Sequence, residues 1–265
     1  MFWLSSILTV QRSSHLQINR FVEDATGQKI KDLLENDDVD GDTRMVLVNA
    51  VYFKAHWQFA FNVHLTYSGK FKLTKGHSID AQFMRKTSDV RVLDDTRRKL
   101  RILELPYEHP NRSMLIVLPD EETSTENLAK RLEGLDFTNI RTDEEPTETC
   151  ISIPKFELMF KTDLKEHMVQ LGVRDLFSEA SADLSGISNE HLFASKGVHQ
   201  ALIEVNEEGT EAAAATAAIV GQESAPPRWF IADRPFLFIV YDFEHKTTLF
   251  AGKVADPNNA GVVQS

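Results

Sequence analysis

The sequence of 265 residues predicts an α+β protein with more than one β-sheet. Two observations carry this prediction: segments patterned like strands are unevenly spaced along the chain, and amphipathic helical segments are scattered between them. The composition, 42% hydrophobic and 26% charged, is that of a globular protein long enough to bury a sizeable core.

Three segments carry the signals of helices. The first begins at Ser14 and stops at Gly27, and its apolar residues follow the spacing of one helix face: Ile18, Phe21, Val22 and Ala25. The second, residues 123–134, is predicted to bury Leu128, Ala129 and Leu132. The third, residues 162–172, is predicted to bury Leu164, Met168 and Leu171.

The strand signals lie between and after these helices. Residues 45–53 are apolar on both faces, as in a strand with neighbours on both sides. Residues 99–119 predict a hairpin that turns at 110–112. Alternation around residue 158 predicts one dry face, formed by Phe156, Leu158 and Phe160. The last quarter of the chain predicts strands at 198–205, 229–232, 236–243 and 247–254.

Composition and missing motifs exclude several classes of function. A net charge of −11 argues against binding to nucleic acid. A single cysteine, Cys150, rules out an internal disulfide and a thiolate zinc cluster. No run reaches the ~18 apolar residues of a membrane span, so we expect no membrane partner. The sequence lacks GxSxG, HExxH, CxxC, P-loop and GxGxxG motifs. We therefore predict no catalytic site and no cofactor.

Two polar features have ordinary structural explanations. Asn36, Asp38, Asp40 and Gly41 resemble the start of a calcium loop, but the twelfth position is Leu47 instead of Glu. We interpret this segment as a solvated acidic turn and predict no metal site. His199 lies in an apolar strand and is predicted to be a core histidine with its hydrogen bonds satisfied.

The segment 207–227 is alanine-rich and lies between two strongly patterned strands. By propensity alone its alanines suit a helix or a soft linker. Gly209 can absorb a large change in backbone conformation. If the segment became a strand, one face would carry only small side chains, which enter a packed sheet without strain or large desolvation cost: Thr210, Ala212, Ala214, Thr216 and Ala218.

This segment resembles the reactive-loop hinge of inhibitory serpins, which reads Glu, any residue, Gly, Thr or Ser, any residue, then mostly alanines. The matching hinge residues are Glu207, Gly209, Thr210, Ala212, Ala213, Ala214, Ala215 and Thr216. Residues 230–240 (FIADRPFLFIV) match the C-terminal signature of the family, and residues 49–57 (NAVYFKAHW) match its N-A-[IV]-Y-F-K-x-x-W block. Residues 153–156 (IPKF), 105–107 (LPY) and 118–119 (LP) also fit.

The resemblance implies a serpin fold, with mixed sheets A, B and C and surrounding helices in a single domain. It implies that Lys155 and Glu207 form an ion pair where the loop begins to insert into sheet A, with Trp57 packing in the same region. Asn49 and His199 would belong to a polar cluster that parts to admit the loop.

The family's usual spacing places the scissile bond at Glu223–Ser224. Because loop lengths vary, Gln222, Ser224 and Arg228 remain alternatives for the residue before the cleaved bond. An acidic residue there would suit a serine or cysteine protease with a basic specificity pocket.

The function that the resemblance implies is inhibition of a serine endopeptidase by a suicide-substrate mechanism, without enzymatic activity of its own. The partner would be the target protease. We expect a monomer that can form loop–sheet polymers. The alternative is a non-inhibitory or substrate-like serpin that acts as a binding protein or is inactive.

The family favours an extracellular location, in which the sequon at Asn111 would be a glycosylation site. The first ten residues are apolar, but they lack a basic n-region and an obvious cleavage site, so a signal peptide is not favoured.

The resemblance covers about residues 15–257, and residues 1–13 are expected to be a non-matching leader. Complete serpins carry further helices and two sheet-A strands before the helix at Ser14, so the sequence predicts a serpin domain truncated at its N-terminus. We expect sheet A to lose a neighbour of its central strand, residues 45–53, and to leave that edge uncovered.

Overall fold

The computed structural model describes residues 2–9, 14–74, 76–120, 128–208, 228–259 and 262–264. The strands within them are β1 (Phe2–Thr9), β2 (Met45–Phe53), β3 (Tyr67–Thr74), β4 (His77–Val90), β5 (Val92–Asp95), β6 (Leu100–Pro106), β7 (Arg112–Pro119), β8 (Thr147–Pro154), β9 (Phe156–Asp163), β10 (Ala194–Val205), β11 (Arg228–Ile231), β12 (Phe236–Asp242), β13 (Thr247–Val254) and β14 (Val262–Gln264). The helices are α1 (Ser14–Ala25), α2 (Leu128–Arg131), α3 (Asn139–Thr142) and α4 (Leu164–Gln170), with 3-10 turns at Val63–Leu65 and Asp175–Phe177.

The strands form three sheets, which confirms the predicted α+β class with more than one sheet. The chain divides into two compact units. The first unit (residues 1–54, 157–204 and 260–265) contains a five-stranded sheet in the order β1-β2-β10-β9-β14. The second unit (residues 55–156 and 205–259) contains a four-stranded sheet, β11-β8-β4-β3, and a five-stranded sheet, β13-β12-β7-β6-β5.

The first unit is built around strands β2 and β10, which are parallel neighbours with Asn49 opposite His199. Helix α1 packs its buried Ile18 and Val22 into a cluster with Val46, Val48 and other residues of these two strands. The bounds of α1 and β2 are those predicted from the sequence. Buried residues stand at both odd and even positions of β2, so both of its faces are covered, which explains why the strand is apolar on both faces apart from Asn49.

The expected bare edge on β2 is wrong, because β1 occupies it. Residues 2–9 run antiparallel to β2, from Phe2 opposite Tyr52 to Thr9 opposite Met45. The backbone N–H and C=O groups of β1 thus pair with those on the edge of β2 that we expected to be bare.

The second unit confirms the predicted hairpin, in which β6 and β7 pair antiparallel. Strand β12 lies between β7 and β13, and all but one of its residues are buried. Phe156 contacts Phe236 and Phe238, with ring centroids 5.9 and 5.5 Å away. The strands predicted at 198–205, 229–232, 236–243 and 247–254 are present as β10, β11, β12 and β13, while β1, β3, β4, β5, β8 and β14 were not predicted.

Three predictions of burial are wrong. Phe160 is exposed, and its neighbour Met159 packs against the α1 cluster instead, so the dry face predicted for β9 does not continue beyond Phe156. Leu171 is 84% exposed because α4 ends at Gln170 and Gly172, with φ +97°, turns the chain away. Phe21 is also exposed on α1.

The predicted second helix is described only in part, as α2, because its predicted start at Thr123 lies outside the described residues.

Among the described residues, no helix has the length and apolar character that crossing a membrane requires.

The packing of α1 predicts a contrast between its two faces. Ile18→Ala should lower the free energy of unfolding by about 3 kcal/mol, because it removes buried apolar atoms and leaves a cavity. Leu16→Ala, on the exposed face of the same helix, should change it by less than about 0.5 kcal/mol. Urea unfolding of both variants checks this, and equal losses would contradict the packing described here.

Candidate functional site

The three residues that follow β10 are held by a group of side chains in the second unit. The Glu207 carboxylate lies 2.8 Å from Lys155 Nζ through Oε2 and accepts a 2.7 Å hydrogen bond from Thr66 Oγ1 at Oε1. The side chain of Glu207 is 8% exposed, whereas that of Lys155 is 40% exposed. We call Trp57, Phe61, Thr66 and Lys155 the anchor, because together they fix the chain at Glu207.

The anchor also binds the backbone on both sides of Glu207. Trp57 donates from Nε1 to the Asn206 carbonyl at 2.8 Å and from its backbone N–H to the Glu208 carbonyl at 3.2 Å. The Phe61 N–H donates to the Glu207 carbonyl at 3.0 Å. The Trp57 ring is buried and stacks on Tyr107, with centroids 4.7 Å apart and planes at 8°. The chain therefore leaves the sheet from a rigid point.

The Glu207 carboxyl group is ionised in this setting. Burial on its own would raise its pKa, but the hydrogen bonds from Lys155 and Thr66 outweigh burial, and the pKa lies below its ordinary value. The ion pair predicted from the resemblance is present in the structure, and its role in loop insertion stays a prediction.

Asn49 and His199 lie opposite each other where β2 and β10 pair in the first unit. Burial lowers the pKa of the His199 ring, and a hydrogen bond with the Asn49 backbone opposes that shift. Within the part of the chain that the structure describes, Asn49 Oδ1 and His199 Nδ1 are shielded from solvent and have no hydrogen-bond partner. The prediction that His199 is fully satisfied is therefore wrong.

The remaining hinge residues and the predicted bond Glu223–Ser224 lie outside the described residues, which resume at Arg228. Arg228 begins β11, which pairs in parallel with β8. Its guanidinium lies 2.5 Å from Asp94, which Arg101 also contacts at 2.7 Å. Arg101 donates to the Trp229 carbonyl at 3.0 Å, and the Arg85 guanidinium stacks over the Trp229 ring at 4.9 Å.

Several of these contact residues were missed in the sequence. Thr66, Phe61 and Asp94 match no motif, and each becomes informative only once long-range pairing brings it to the ends of segment 209–227. The one local signal is Asn62, whose side chain accepts from the His64 N–H and starts the 3-10 turn that ends at Thr66. That signal predicts a turn and says nothing about Glu207.

Two groups of polar side chains resemble metal sites. Asp242, Glu244 and His245 bring one ligand atom each within 4.8 Å of one another. However, Asp242 already accepts from Arg112 Nε at 3.1 Å and from two backbone N–H groups, and its pKa is lowered to about 2. In the acidic turn, Asp40 accepts from the Thr43 and Asp42 N–H groups. Both groups therefore stabilise turns.

Known proteins resemble this chain over most of its length. A family model described as "Serpin (serine protease inhibitor)" matches residues 6–257 and so begins inside the segment 1–13 that we expected not to match. The leukocyte elastase inhibitor of Bos taurus is 40% identical over 250 residues, which cover 91% of this chain and 66% of that protein. Serpin B6 of Macaca fascicularis is 39% identical over 256 residues, covering 94% and 67%.

Solved structures give the same result. Uncleaved ovalbumin superposes with a TM-score of 0.78 at 31% identity, covering 92% of this chain and 63% of that one. Serpin-12 of Manduca sexta superposes with a TM-score of 0.81 at 26% identity, covering 96% and 67%. The chain thus spans about two thirds of the length of the proteins it matches.

The lowered pKa of Glu207 predicts an effect of acid on stability. Its ionised form contributes stability above its ordinary pKa, and that contribution is lost as the pH falls through the lower pKa of the folded protein. Glu207→Gln should therefore flatten the decline in thermal midpoint below about pH 4.5. Glu108→Gln, an equivalent change at an exposed position of the same unit, should leave the decline as it is. Parallel curves for the wild type and Glu207→Gln would refute the assignment.

Proposed function

Because the chain belongs to the serpin family, we propose that it inhibits a serine endopeptidase as a suicide substrate. The protease serine would attack the carbonyl of Glu223, break the bond to Ser224 and form an acyl-enzyme, with a new amino group left on Ser224. The loop freed at Glu223 would then enter the sheet between β2 and β10 and carry the protease with it. Water would reach the ester only after the active site had been distorted.

The composition of the hinge is the observation that carries the proposal. On the face that would enter the sheet, residues 210–218 present only Thr and Ala, and the single charge, Glu211, lies on the other face. Side chains of this size can enter a packed interior without a desolvation penalty. A non-inhibitory serpin usually has bulky, charged or proline residues there.

The pairing of β2 with β10 supports the same mechanism. A segment that turns back after β10 runs antiparallel to it, and hence antiparallel to β2 as well, since those two strands are parallel. Insertion would replace one parallel ladder by two antiparallel ladders, which are slightly more stable per residue. Residues 210–223 would form a strand roughly 45 Å long at ~3.3 Å per residue. The additional hydrogen bonds, at ~1 kcal/mol each, would contribute on the order of 10 kcal/mol.

The anchor and the Asn49–His199 pair would control where and how the sheet opens. Lys155, Trp57 and Glu207 would fix the point at which the loop turns, so that insertion starts beside it. Asn49 and His199 lie opposite each other in the ladder between β2 and β10 and would have to part before a strand could enter.

The position of Arg228 supports cleavage before it in the chain. Arg228 pairs with β8 as part of strand β11 and forms an ion pair with Asp94. Its backbone is therefore not free to bind in the active site of a protease. Glu223 before the cleaved bond would suit a serine protease, or a cysteine protease, whose specificity pocket is basic.

A second candidate function is that of a non-inhibitory or substrate-like serpin. If insertion fails, the loop would be cleaved as a simple substrate and the protein would act by binding or be inactive.

Incubation with proteases of Glu-specific, trypsin-like and caspase-like specificity tests the proposal. We expect a band at the summed mass that resists boiling in detergent with one of them, and a released peptide that begins at Ser224. Cleavage near residue 223 without that band would refute inhibition and favour the second candidate function, in which the loop is cleaved as a simple substrate.

A pair of variants separates insertion from binding. Ala214→Arg places a charge on the face that would enter the sheet and should convert the inhibitor into a substrate. Ala215→Arg places the same charge on the opposite face and should preserve most of the covalent complex. Equal loss in both variants would show that the alternating face does not matter.

A further inference from the structure

Four side chains of the first unit converge where β2 and β10 end. Glu204 of β10 binds Lys29 Nζ at 2.9 Å and Tyr52 OH at 3.1 Å through Oε2, and Lys54 Nζ at 3.4 Å through Oε1. The Lys29 ammonium also lies 5.6 Å from the centre of the Tyr52 ring. We call Lys29, Tyr52, Lys54 and Glu204 the latch.

The latch joins three pieces of chain. Tyr52 lies on β2 opposite Leu202 of β10, and Glu204 lies two residues further along on the same face. Lys54 comes directly after β2. Lys29 follows α1, the helix whose apolar side covers that face of the two strands. One carboxylate therefore binds β2, its continuation and the segment after the covering helix.

The Glu204 carboxylate is ionised and partly removed from water. Its side chain is 18% exposed. Burial would raise its pKa, but the hydrogen bond from Lys29 and the charge of Lys54 hold that pKa below its ordinary value. Hydrogen bonds to a charged group in such a site are stronger than those between neutral groups.

The latch differs from the ladder in what happens when the strands part. Neighbouring strands lie ~4.8 Å apart, so a strand between them would add about that distance to the contacts that Glu204 makes with Tyr52 and Lys54. Ladder hydrogen bonds are replaced by bonds to the incoming strand. The face of residues 210–218 that would enter the sheet is Thr and Ala only, so it carries no carboxylate that could replace Glu204 at the latch.

We propose that the latch sets the rate at which β2 separates from β10. Its contacts are present while the strands are paired and are lost when they part, so they raise the barrier to opening. Tyr52 and Glu204 are therefore positioning residues. Their contact holds β2 against β10 and so delays insertion until the loop is cut. The link to loop insertion rests on the function proposed above, whereas the effect on strand separation does not.

Hydrogen exchange of the full chain tests the latch directly. Tyr52→Phe removes one hydroxyl and keeps the ring beneath Lys29. It should speed amide exchange in β2 and β10 by about tenfold, because losing one hydrogen bond to a charged group makes opening of the strands easier by about that factor. Exchange in β7 and the thermal midpoint should change far less. Glu204→Gln, which removes the charge that all three partners share, should have a larger effect.

Tyr67→Phe is the matched control. The Tyr67 hydroxyl lies 2.9 Å from Ser152 Oγ in the four-stranded sheet, so this variant also removes one buried hydroxyl contact between strands. It should leave exchange in β2 and β10 at the wild-type rate. Unchanged exchange in both Tyr52→Phe and Glu204→Gln would overturn the latch, as would equal acceleration by Tyr67→Phe.

Uptake of a synthetic peptide with the sequence of residues 210–223 tests the link to function. The peptide should form a complex resolved on native gels, and Tyr52→Phe should form it about tenfold faster than the wild type. Faster exchange without peptide uptake in any variant would uphold the latch and refute loop insertion. Uptake at equal rates in wild type and Tyr52→Phe would refute its control of insertion.

Discussion

The parallel pairing of β2 with β10 is the constraint on which the rest of the structure depends. Two parallel strands need a long connection, and here that connection runs through residues 55–156 of the second unit and then through β9 and α4. A segment that turned back after β10 would run antiparallel to both strands and could pair with each of them. A metastable fold of this kind would be held by kinetics, with its free-energy minimum on the far side of insertion.

In the proposed mechanism, polar groups at separate points control this pairing. Glu207, three residues beyond the latch carboxylate in sequence, is fixed by Lys155, Thr66 and backbone bonds from the anchor. At the pairing itself, Asn49 and His199 contribute one hydrogen bond and two shielded atoms that lack partners within the described residues. Polar atoms left in this state favour a rearrangement that would satisfy them. The apolar packing under α1 stabilises the first unit, and we propose that these polar groups control the separation of its strands.

Sequence motifs and hydrophobic periodicity predicted most of the fold. The family signatures located β2 and strands near the C-terminus, and the pattern of α1 gave both of its ends. Long-range contacts were not accessible in this way. Thr66 and Glu204 are ordinary surface-type residues until pairing places them beside a carboxylate or two lysines. The pairing of β1 with β2 was not predicted either, because the notable features of residues 2–9 in the sequence were only their apolar side chains, and a ladder is formed by backbone groups.

The most direct test of the central claim is the thermal unfolding of the chain before and after a single cut within residues 209–227. If the cut loop joins β2 and β10 as a new strand, added stability on the order of 10 kcal/mol should raise the unfolding midpoint by about 20 °C or more. An unchanged or lower midpoint after complete cleavage would mean that the strands stay paired and the loop stays outside. That result would contradict the account.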